Sequence, residues 1–232
     1  MATVSNEADG KINYPTFAYT EADIDKEYTY TVEESNANVS GYTYDNTVYT
    51  VKVKIKDNGD GTLTARTTEA SKQVGNEDPV SAAVTALDFA NSYDTEATIS
   101  LQAWKTLNGR ALSAGEFSFT LTGQNVGPGN NVAKNDGEGV VTFDPIRYTN
   151  ADVDPTTGTA SYTYTITEND DGVAGVSYDK NSTRTVTVTL TDDGQGHLTA
   201  TTTNDTAANV TFANSYAATG SVSFAGTKSL SG

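Results

Sequence analysis

The sequence predicts an all-β protein made of tandem β-sandwiches, and two observations carry that prediction. Runs such as TVYTVKVKIK (Thr47 to Lys56) and TRTVTVTLT (Thr183 to Thr191) are rich in Val, Ile, Thr and Tyr and alternate with the two-residue period of strands. Motifs of the first half also return in the second half, so the strand pattern is repeated along the chain. Several short strands in each repeat are typical of an immunoglobulin-like sandwich.

Glycine-rich turns separate the alternating runs. DNGDGT (Asp57 to Thr62) and DDGQGH (Asp192 to His197) each lie between two such runs, and we predict that they are hairpin loops in which Gly supplies a positive φ. Their acidic spacing faintly resembles a calcium-binding loop, but both lack the full ligand pattern and its closing Glu. We therefore predict neither a metal nor another cofactor. No segment has a convincing helical period.

The repeat defines the predicted domains. The halves align through EYTYTVEESN with SYTYTITEND, through YTYDNTVYTVKVKIKDNGDGTLTA with VSYDKNSTRTVTVTLTDDGQGHLTA, and through two copies of FANSY; a shorter match relates ISLQAWKTLNG to VSFAGTKSLSG. This register predicts an incomplete N-terminal repeat at residues 1–95 that lacks its initial strands, a complete repeat at residues 96–217, and the first strand of a further repeat at residues 218–232.

Composition excludes several classes of partner. The 232 residues include 30 acidic and 14 basic side chains and carry a formal net charge of -16. Nucleic acids and anionic membrane surfaces both require a basic footprint, so neither is expected as a partner. There is no cysteine, which rules out disulfides and thiolate metal sites. No segment has the roughly 18 apolar residues that span a membrane, and no signal peptide opens the sequence.

Three polar residues continue apolar strand faces. Lys105 shares its parity with Ile99, Leu101 and Ala103; Glu168 and Asn214 continue apolar faces of two other strands in the same way. A sandwich has one core in which such faces meet. A buried lysine, glutamate or asparagine is costly alone, so we predict that the three side chains lie together and satisfy one another.

The same three groups can react. Burial disfavours the charged form of a lysine, and a neutral amine is a nucleophile. Attack by the Lys105 amine on the Asn214 side-chain carbonyl, with Glu168 moving the proton to the leaving nitrogen, would expel ammonia and leave an amide cross-link. Rigid placement in a folded core supplies the proximity that so poor an electrophile requires.

The order of these motifs resembles a known family. A lysine in WKTLNGRALSAGEFSFTL, a glutamate ending YTYTITE and an asparagine in FANSY are similar to the streptococcal-pilin-type isopeptide linkage repeat, one of the CnaB-like, inverse immunoglobulin-fold modules of Gram-positive surface proteins. The resemblance covers essentially the whole chain. It implies a spontaneous isopeptide bond between Lys105 and Asn214, with Glu168 as the catalytic carboxyl.

The first repeat departs from that pattern. Glu34 aligns with Glu168 and Asn91 with Asn214, whereas the adjacent Glu33 has the wrong parity. The repeat has no strand that carries a lysine, and it lacks an equivalent of GEFSFTL. Lys228, in GTKSLSG, is a family-like lysine with no asparagine after it. One hypothesis is therefore that Lys228 of one molecule bonds to Asn91 of the next, which would give head-to-tail chains.

The function expected from the resemblance is structural. The chain would be a stalk or spacer segment of a pilin or cell-wall adhesin, outside the cell and in contact with adjacent repeats of the same surface protein. A single-turnover reaction within one molecule does not make it an enzyme. The sequence does not identify a host ligand.

Two other functions remain open at this stage. A glycan- or host-matrix-binding module could use the long loop TGQNVGPGNNVAKNDGEG (Thr122 to Gly139), although that loop has no aromatic residue to stack on a sugar. A glycosidase would need two carboxylates that face each other across a cleft, and no acidic pair stands out from the surface background.

Overall fold

The computed structural model describes residues 2–82, 87–128 and 131–232. It divides into two units, the first formed by Met1–Asn38 with Thr43–Ser92 and the second by Val39–Tyr42 with Tyr93–Gly232. Both units are built from strands, as the alternating sequence predicts. In the described residues, helix is confined to two short 3-10 turns, Glu21–Asp23 and Asn150–Asp152.

Unit 1 contains one four-stranded antiparallel sheet in the order β1-β3-β4-β5. The strands from the first part of the chain are β1 (Glu27–Glu33), β2 (Tyr42–Thr43), β3 (Thr47–Asp57), β4 (Leu63–Val74), β5 (Val80–Ser81) and β6 (Ser92–Tyr93). Alternate residues of β3 face one side, so Tyr49, Val51 and Ile55 are buried. Strand β1 lies at the edge of this sheet.

Unit 2 is a sandwich of two larger sheets. Its strands are β7 (Glu96–Ile99), β8 (Gln102–Asn108), β9 (Ser118–Thr122), β10 (Val132–Lys134), β11 (Val140–Thr142), β12 (Ile146–Thr149), β13 (Thr159–Glu168), β14 (Val176–Ser177), β15 (Thr183–Asp192), β16 (Leu198–Thr203) and β17 (Thr211–Tyr216). One sheet has the order β10-β9-β13-β15-β16 and the other β11-β8-β17-β14, with β12 and β7 forming a short pair. Side chains from both sheets fill the core; the rings of Phe119 and Phe212, one from each sheet, have centroids 5.2 Å apart.

The two glycine-rich turns are hairpin loops, which confirms that prediction. Strand β3 pairs with β4 across the first turn, and β15 pairs with β16 across the second. Gly194 and Gly196 have φ values of 68° and 87°, a left-handed conformation that glycine adopts without a steric cost.

Corresponding strands of the two units differ in their neighbours. In unit 2, β13 lies between β15 and β9. Its counterpart β1 pairs with β3 on one side, and the described residues supply no strand on its other side. The counterpart of β9, which is the strand within GEFSFTL, is the element that the sequence comparison finds missing.

The last segment of the chain does not match its predicted secondary structure. Residues 218–232 were expected to form the first strand of a further repeat, but they form no strand here, and their side chains are exposed. A strand requires a neighbour to satisfy its backbone donors and acceptors, and this segment pairs with none of the described strands. In the described residues, no helix is long and apolar enough to cross a membrane.

Candidate cross-linking site

Lys105 and Asn214 lie on neighbouring strands that run in the same direction. Strand β17 pairs with β8 in parallel, so that Phe212 is opposite Lys105 and Asn214 is opposite Leu107. Lys105 and Asn214 both point into the core, because each occupies the inward parity of its strand. The lysine side chain extends past Phe212, and its Nζ donates a 3.2 Å hydrogen bond to the Phe212 carbonyl oxygen.

Glu168 approaches from the opposite sheet. It is the last residue of β13, where it pairs with Phe119 of β9 and continues the buried positions Tyr164 and Ile166. Its Oε1 lies 2.9 Å from the Lys105 Nζ and accepts a 2.8 Å hydrogen bond from the Asn214 Nδ2. Lys105, Glu168 and Asn214 are only 2%, 5% and 3% exposed. The structure therefore brings together the three side chains that strand parity singled out.

Burial changes the chemistry of the lysine. Desolvation lowers the pKa of Lys105, and the neighbouring Glu168 carboxyl opposes that effect without cancelling it. The Phe117 ring also flanks the amine, with Nζ 4.9 Å from the ring centroid. A lowered pKa increases the neutral, nucleophilic fraction of the amine at a given pH.

The carbonyl end of Asn214 has its own partner, which sequence reasoning missed. The backbone N–H of Asp179 donates a 2.8 Å hydrogen bond to Asn214 Oδ1. This contact fixes the orientation of the amide, since the oxygen faces a donor and the nitrogen faces a carboxyl oxygen. A signal for this residue does exist in the sequence: Tyr-Asp occurs at corresponding positions in the aligned motifs YTYDNT and VSYDKN.

The geometry permits a proton relay through one atom. Glu168 Oε1 is within hydrogen-bond distance of both the attacking nitrogen and the leaving nitrogen. The second carboxyl oxygen, Oε2, is buried and has no hydrogen-bond partner among the described residues. The site can therefore hold an amine, an amide and a proton carrier together, away from solvent.

The first repeat carries the same arrangement without a lysine. Asn91 Nδ2 donates a 2.7 Å hydrogen bond to Glu34 Oε1, and the Asp45 N–H donates a 2.8 Å hydrogen bond to Asn91 Oδ1. Among the described residues, Glu34 Oε2 is buried and has no hydrogen-bond partner, like its counterpart in unit 2, and no lysine forms an ion pair with Glu34. Asn91 is exposed, whereas Asn214 is buried. We call Glu34, Asn91 and Asp45 the half-site.

The remaining candidate residues do not build a second site. Lys228 lies exposed in the irregular C-terminal segment, and Glu33 is exposed at the end of β1. The single His197 is exposed, with its Nδ1 3.0 Å from Asp193 Oδ2. The described residues contain no group of three or more His, Asp or Glu side chains placed to hold a metal ion. Part of the loop from Thr122 to Gly139, residues 129–130, lies outside the described residues.

Together, the tandem β-sandwich fold and the buried cluster of Lys105, Glu168 and Asn214 are the features expected of an isopeptide-containing module. The family model for Spy0128-like isopeptide-containing domains, FctA, matches residues 2–94 and 101–217. The chain belongs to this family, which confirms the resemblance recognised in the sequence. The interpretation that the chain is not an enzyme agrees with this family membership.

Solved structures give weaker similarities. The major pilin protein T-13 from Streptococcus pyogenes serotype GAS131465 is 18% identical, with 92% of this chain and 76% of that chain covered and a TM-score of 0.26. The major pilin protein T3.2 from Streptococcus pyogenes serotype GAS13637 is 17% identical, with 91% and 84% covered and the same TM-score of 0.26. Comparison with curated protein sequences gives no significant match.

Proposed function

We propose that the chain is a load-bearing segment of a pilus shaft on a Gram-positive cell surface, stapled by an isopeptide bond between Lys105 and Asn214. One observation carries the proposal. The amine of Lys105 and the amide of Asn214 lie on neighbouring parallel strands, are buried, and both contact Glu168 Oε1. Membership of an isopeptide-containing family supports the same reading of the cluster.

The reaction uses no external reagent. Lys105 gives its extra proton to Glu168, and the neutral Nζ attacks Asn214 Cγ to form a tetrahedral intermediate with negative charge on Oδ1. Glu168 then donates a proton to Nδ2 and receives one from Nζ. The Cγ–Nδ2 bond breaks, ammonia leaves, and an amide joins the two side chains. Each cross-linked molecule is therefore lighter than its sequence mass by one ammonia.

The mechanical benefit follows from the position of the bond. Force that enters through β7 and β8 and leaves through β17 would pass from the Lys105 backbone across the isopeptide to Asn214. Residues 106–213 would then lie outside the loaded path. Hydrogen bonds in a sheet can be sheared apart, whereas a covalent bond between the two strands cannot be undone by unfolding. The sandwich would resist extension and proteolysis without cysteine.

The test is the intact mass of the full chain under denaturing conditions. We expect the wild type to be lighter than its sequence mass by one ammonia, and Lys105→Ala, Glu168→Ala and Asn214→Ala to have their full sequence masses. Lys134→Ala is the matched control, since Lys134 is an exposed lysine in β10, and it should still lose ammonia. A wild type with its full sequence mass would refute the cross-link and with it this function.

We further propose that the half-site can accept a lysine from a second copy of the chain, so that Lys228 of one molecule bonds to Asn91 of another. The observation in favour is the geometry of Glu34, Asn91 and Asp45, which reproduces the contacts of the complete site. Lys228 is exposed, and its segment VSFAGTKSLSG resembles the lysine strand of unit 2. The free edge of β1 leaves room beside the half-site for an added strand.

A concentrated solution of the full chain tests this linkage. We expect a ladder of oligomers that survives boiling in detergent, with one additional ammonia lost at each junction. Asn91→Ala and Lys228→Ala should each abolish the ladder and still show the ammonia loss of unit 2. The two variants mixed together should give dimers, because each supplies the group that the other lacks. A wild type that stays monomeric at every concentration contradicts the intermolecular bond and leaves the Lys105-Asn214 proposal intact.

A further inference from the structure

The backbone N–H of Asp179 contacts the atom on which charge would develop. Attack on Asn214 Cγ turns its carbonyl oxygen into an oxyanion, and the Asp179 N–H lies 2.8 Å from that oxygen, Oδ1. A hydrogen-bond donor already in place at a developing oxyanion is among the strongest sources of catalysis in acyl transfer. Glu168 acts at the other end of the same amide, on Nδ2. The two ends of the electrophile are therefore held by different groups.

We propose that Asp179 activates Asn214 for cross-linking: its backbone N–H stabilises the oxyanion, and its carboxylate holds that N–H in position. This inference rests on the proposed isopeptide bond and adds a second acting residue to it. The N–H is hydrogen-bonded to a reacting atom, so its proposed role is catalytic and is called the catalytic part. The carboxylate contacts no reacting atom, so its proposed role is to position the N–H and is called the positioning part.

The positioning part is visible in the contacts of the carboxylate. Asp179 Oδ2 accepts a 3.1 Å hydrogen bond from the Ala213 N–H, immediately before Asn214 in β17. Oδ1 accepts a 3.0 Å hydrogen bond from the Asn181 N–H. The carboxylate thus ties its own loop to the strand that carries the electrophile. Burial disfavours ionisation of Asp179, but the hydrogen bond from the Ala213 N–H leads the effects that lower its pKa overall.

Arg184 completes the arrangement from β15. Its Nη2 lies 3.0 Å from Asp179 Oδ2 and also donates a 2.9 Å hydrogen bond to the Thr211 carbonyl oxygen. The guanidinium carbon lies 4.7 Å from the centroid of the Phe212 ring. The cation offsets the negative charge of the carboxylate near the developing oxyanion, and its hydrogen bond to the Thr211 carbonyl oxygen holds the backbone three residues before Asn214.

The first repeat provides an independent copy of the same contacts. The Asp45 N–H donates to Asn91 Oδ1 at 2.8 Å, and Asp45 Oδ2 accepts a 2.7 Å hydrogen bond from the Ala90 N–H. The position of Arg184 is taken by Tyr49, whose hydroxyl donates a 3.0 Å hydrogen bond to the Asp88 carbonyl oxygen. Its ring packs edge-on against Phe89, with centroids 5.4 Å apart.

Comparison of the half-site with the site in unit 2 shows that the aspartate contacts form without the lysine. No described lysine pairs with Glu34 in the half-site, yet the aspartate, its N–H and its contact with the preceding alanine are all retained. The outer residue has changed from arginine to tyrosine while the hydrogen bond to the strand carbonyl persists. The aspartate contacts therefore accompany the asparagine in both repeats and do not require a lysine packed beside it.

An ester substitution tests the catalytic part. Replacing Asp179 by its α-hydroxy analogue converts one peptide bond to an ester, which removes the N–H donor and keeps the Asp179 side chain. The full chain is recovered unfolded in urea, diluted into buffer, and sampled for ammonia loss by intact mass. We expect the rate of cross-linking to fall by about 100-fold, the effect of deleting one oxyanion donor in other acyl-transfer sites. The same substitution at the exposed Lys180 is the matched control and should leave the rate unchanged.

Side-chain variants test the positioning part. Asp179→Ala keeps the N–H and loses the contact with Ala213, so its cross-linking should also slow, and Asp179→Asn should recover part of the rate because its carbonyl can still accept from Asn181. Each variant is also made with Lys105→Met, and a cooperative urea transition in that background shows that the fold is retained.

Each outcome decides the proposal. A folded ester variant that cross-links at the wild-type rate overturns it. If the ester variant does not fold, Asp179→Ala decides, and a wild-type rate there overturns the proposal because the proposal requires the Asp179 carboxylate to hold the N–H in position. Failure of the cross-link itself is recognised separately, because the wild type would then lose no ammonia.

Discussion

Lys105 and Phe212 are paired residues on two parallel strands, although they come from opposite ends of the second repeat. This pairing places the first long strand of the sandwich beside its last, and it sets Asn214 within the reach of a lysine side chain that extends along the strand. A cross-link at this position joins the points where the chain enters and leaves the sandwich. The proposed mechanical role depends on that relationship.

Pulling on single molecules should reveal the bond directly. Force is applied to the full chain through one attachment point before residue 96 and one after residue 217. The wild type should then show no extension from residues 106–213, because the isopeptide bond carries the force past them. Lys105→Ala should release that segment, with a gain of about 3.3 to 3.6 Å for each freed residue. Force spectroscopy measures this gain in contour length. Equal gains in the wild type and Lys105→Ala would show that the loaded path contains no covalent bond.

Loss of the bond should also lower equilibrium stability. The double variant Lys105→Met with Glu168→Gln removes the bond and both buried charges, so it leaves no unpaired ion behind. Closing a loop of about 100 residues stabilises a protein by about 4 to 5 kcal/mol in the chain-entropy model, so unit 2 should unfold at clearly lower urea in the double variant. Urea titration followed by tyrosine fluorescence measures the shift. Lys134→Ala, an exposed substitution, should not move the midpoint.

The rate of cross-linking should depend on pH through Lys105. Desolvation lowers its pKa, so the neutral amine becomes dominant at lower pH than for an exposed lysine, whose ordinary pKa is about 10.4. The rate should therefore rise with pH and level off before that ordinary range is reached. Refolding from urea at a series of pH values, with ammonia loss followed by mass, gives the profile. A rate that still rises steeply near pH 10, close to the ordinary lysine pKa of about 10.4, would indicate that the amine is solvated when it reacts.

A buried tyrosine pair should show an asymmetric response to substitution. The hydroxyls of Tyr148 and Tyr164 are 2.5 Å apart in the core, and that of Tyr164 also donates a 2.9 Å hydrogen bond to the Gln124 carbonyl oxygen. Tyr164→Phe leaves the Tyr148 hydroxyl without its partner, which costs about 1 to 3 kcal/mol. Tyr148→Phe leaves Tyr164 still bonded to Gln124 and should cost less. Urea unfolding of both variants measures the difference, and equal costs would mean that the pair does not act as described.

Strand parity predicted most of the site. Alternation alone placed Lys105, Glu168 and Asn214 on apolar faces, because successive residues of a strand point to opposite sides of the sheet. The repeat also paired Glu34 and Asn91 with their counterparts, and the two are hydrogen-bonded in the structure. The strand expected at residues 218–232 did not form, because strand propensity has no effect without a neighbouring strand to pair with.

Asp179 shows what periodicity leaves out. The contribution proposed for it comes from a backbone N–H in the segment between β14 and β15, and no side-chain pattern indicates where a backbone donor points. The repeated Tyr-Asp marks the position but does not specify its partner.

The sequence by itself determined the all-β class, the repeat and the three residues of the proposed cross-link, since each depends on local alternation or on self-similarity. Only the tertiary structure decided which groups meet. The parallel pairing of β8 with β17, the approach of Glu168 from the opposite sheet and the contact of the Asp179 N–H with Asn214 all join residues distant in the chain. Such contacts are set by how two sheets pack around one core, and that packing has no local signature in the sequence.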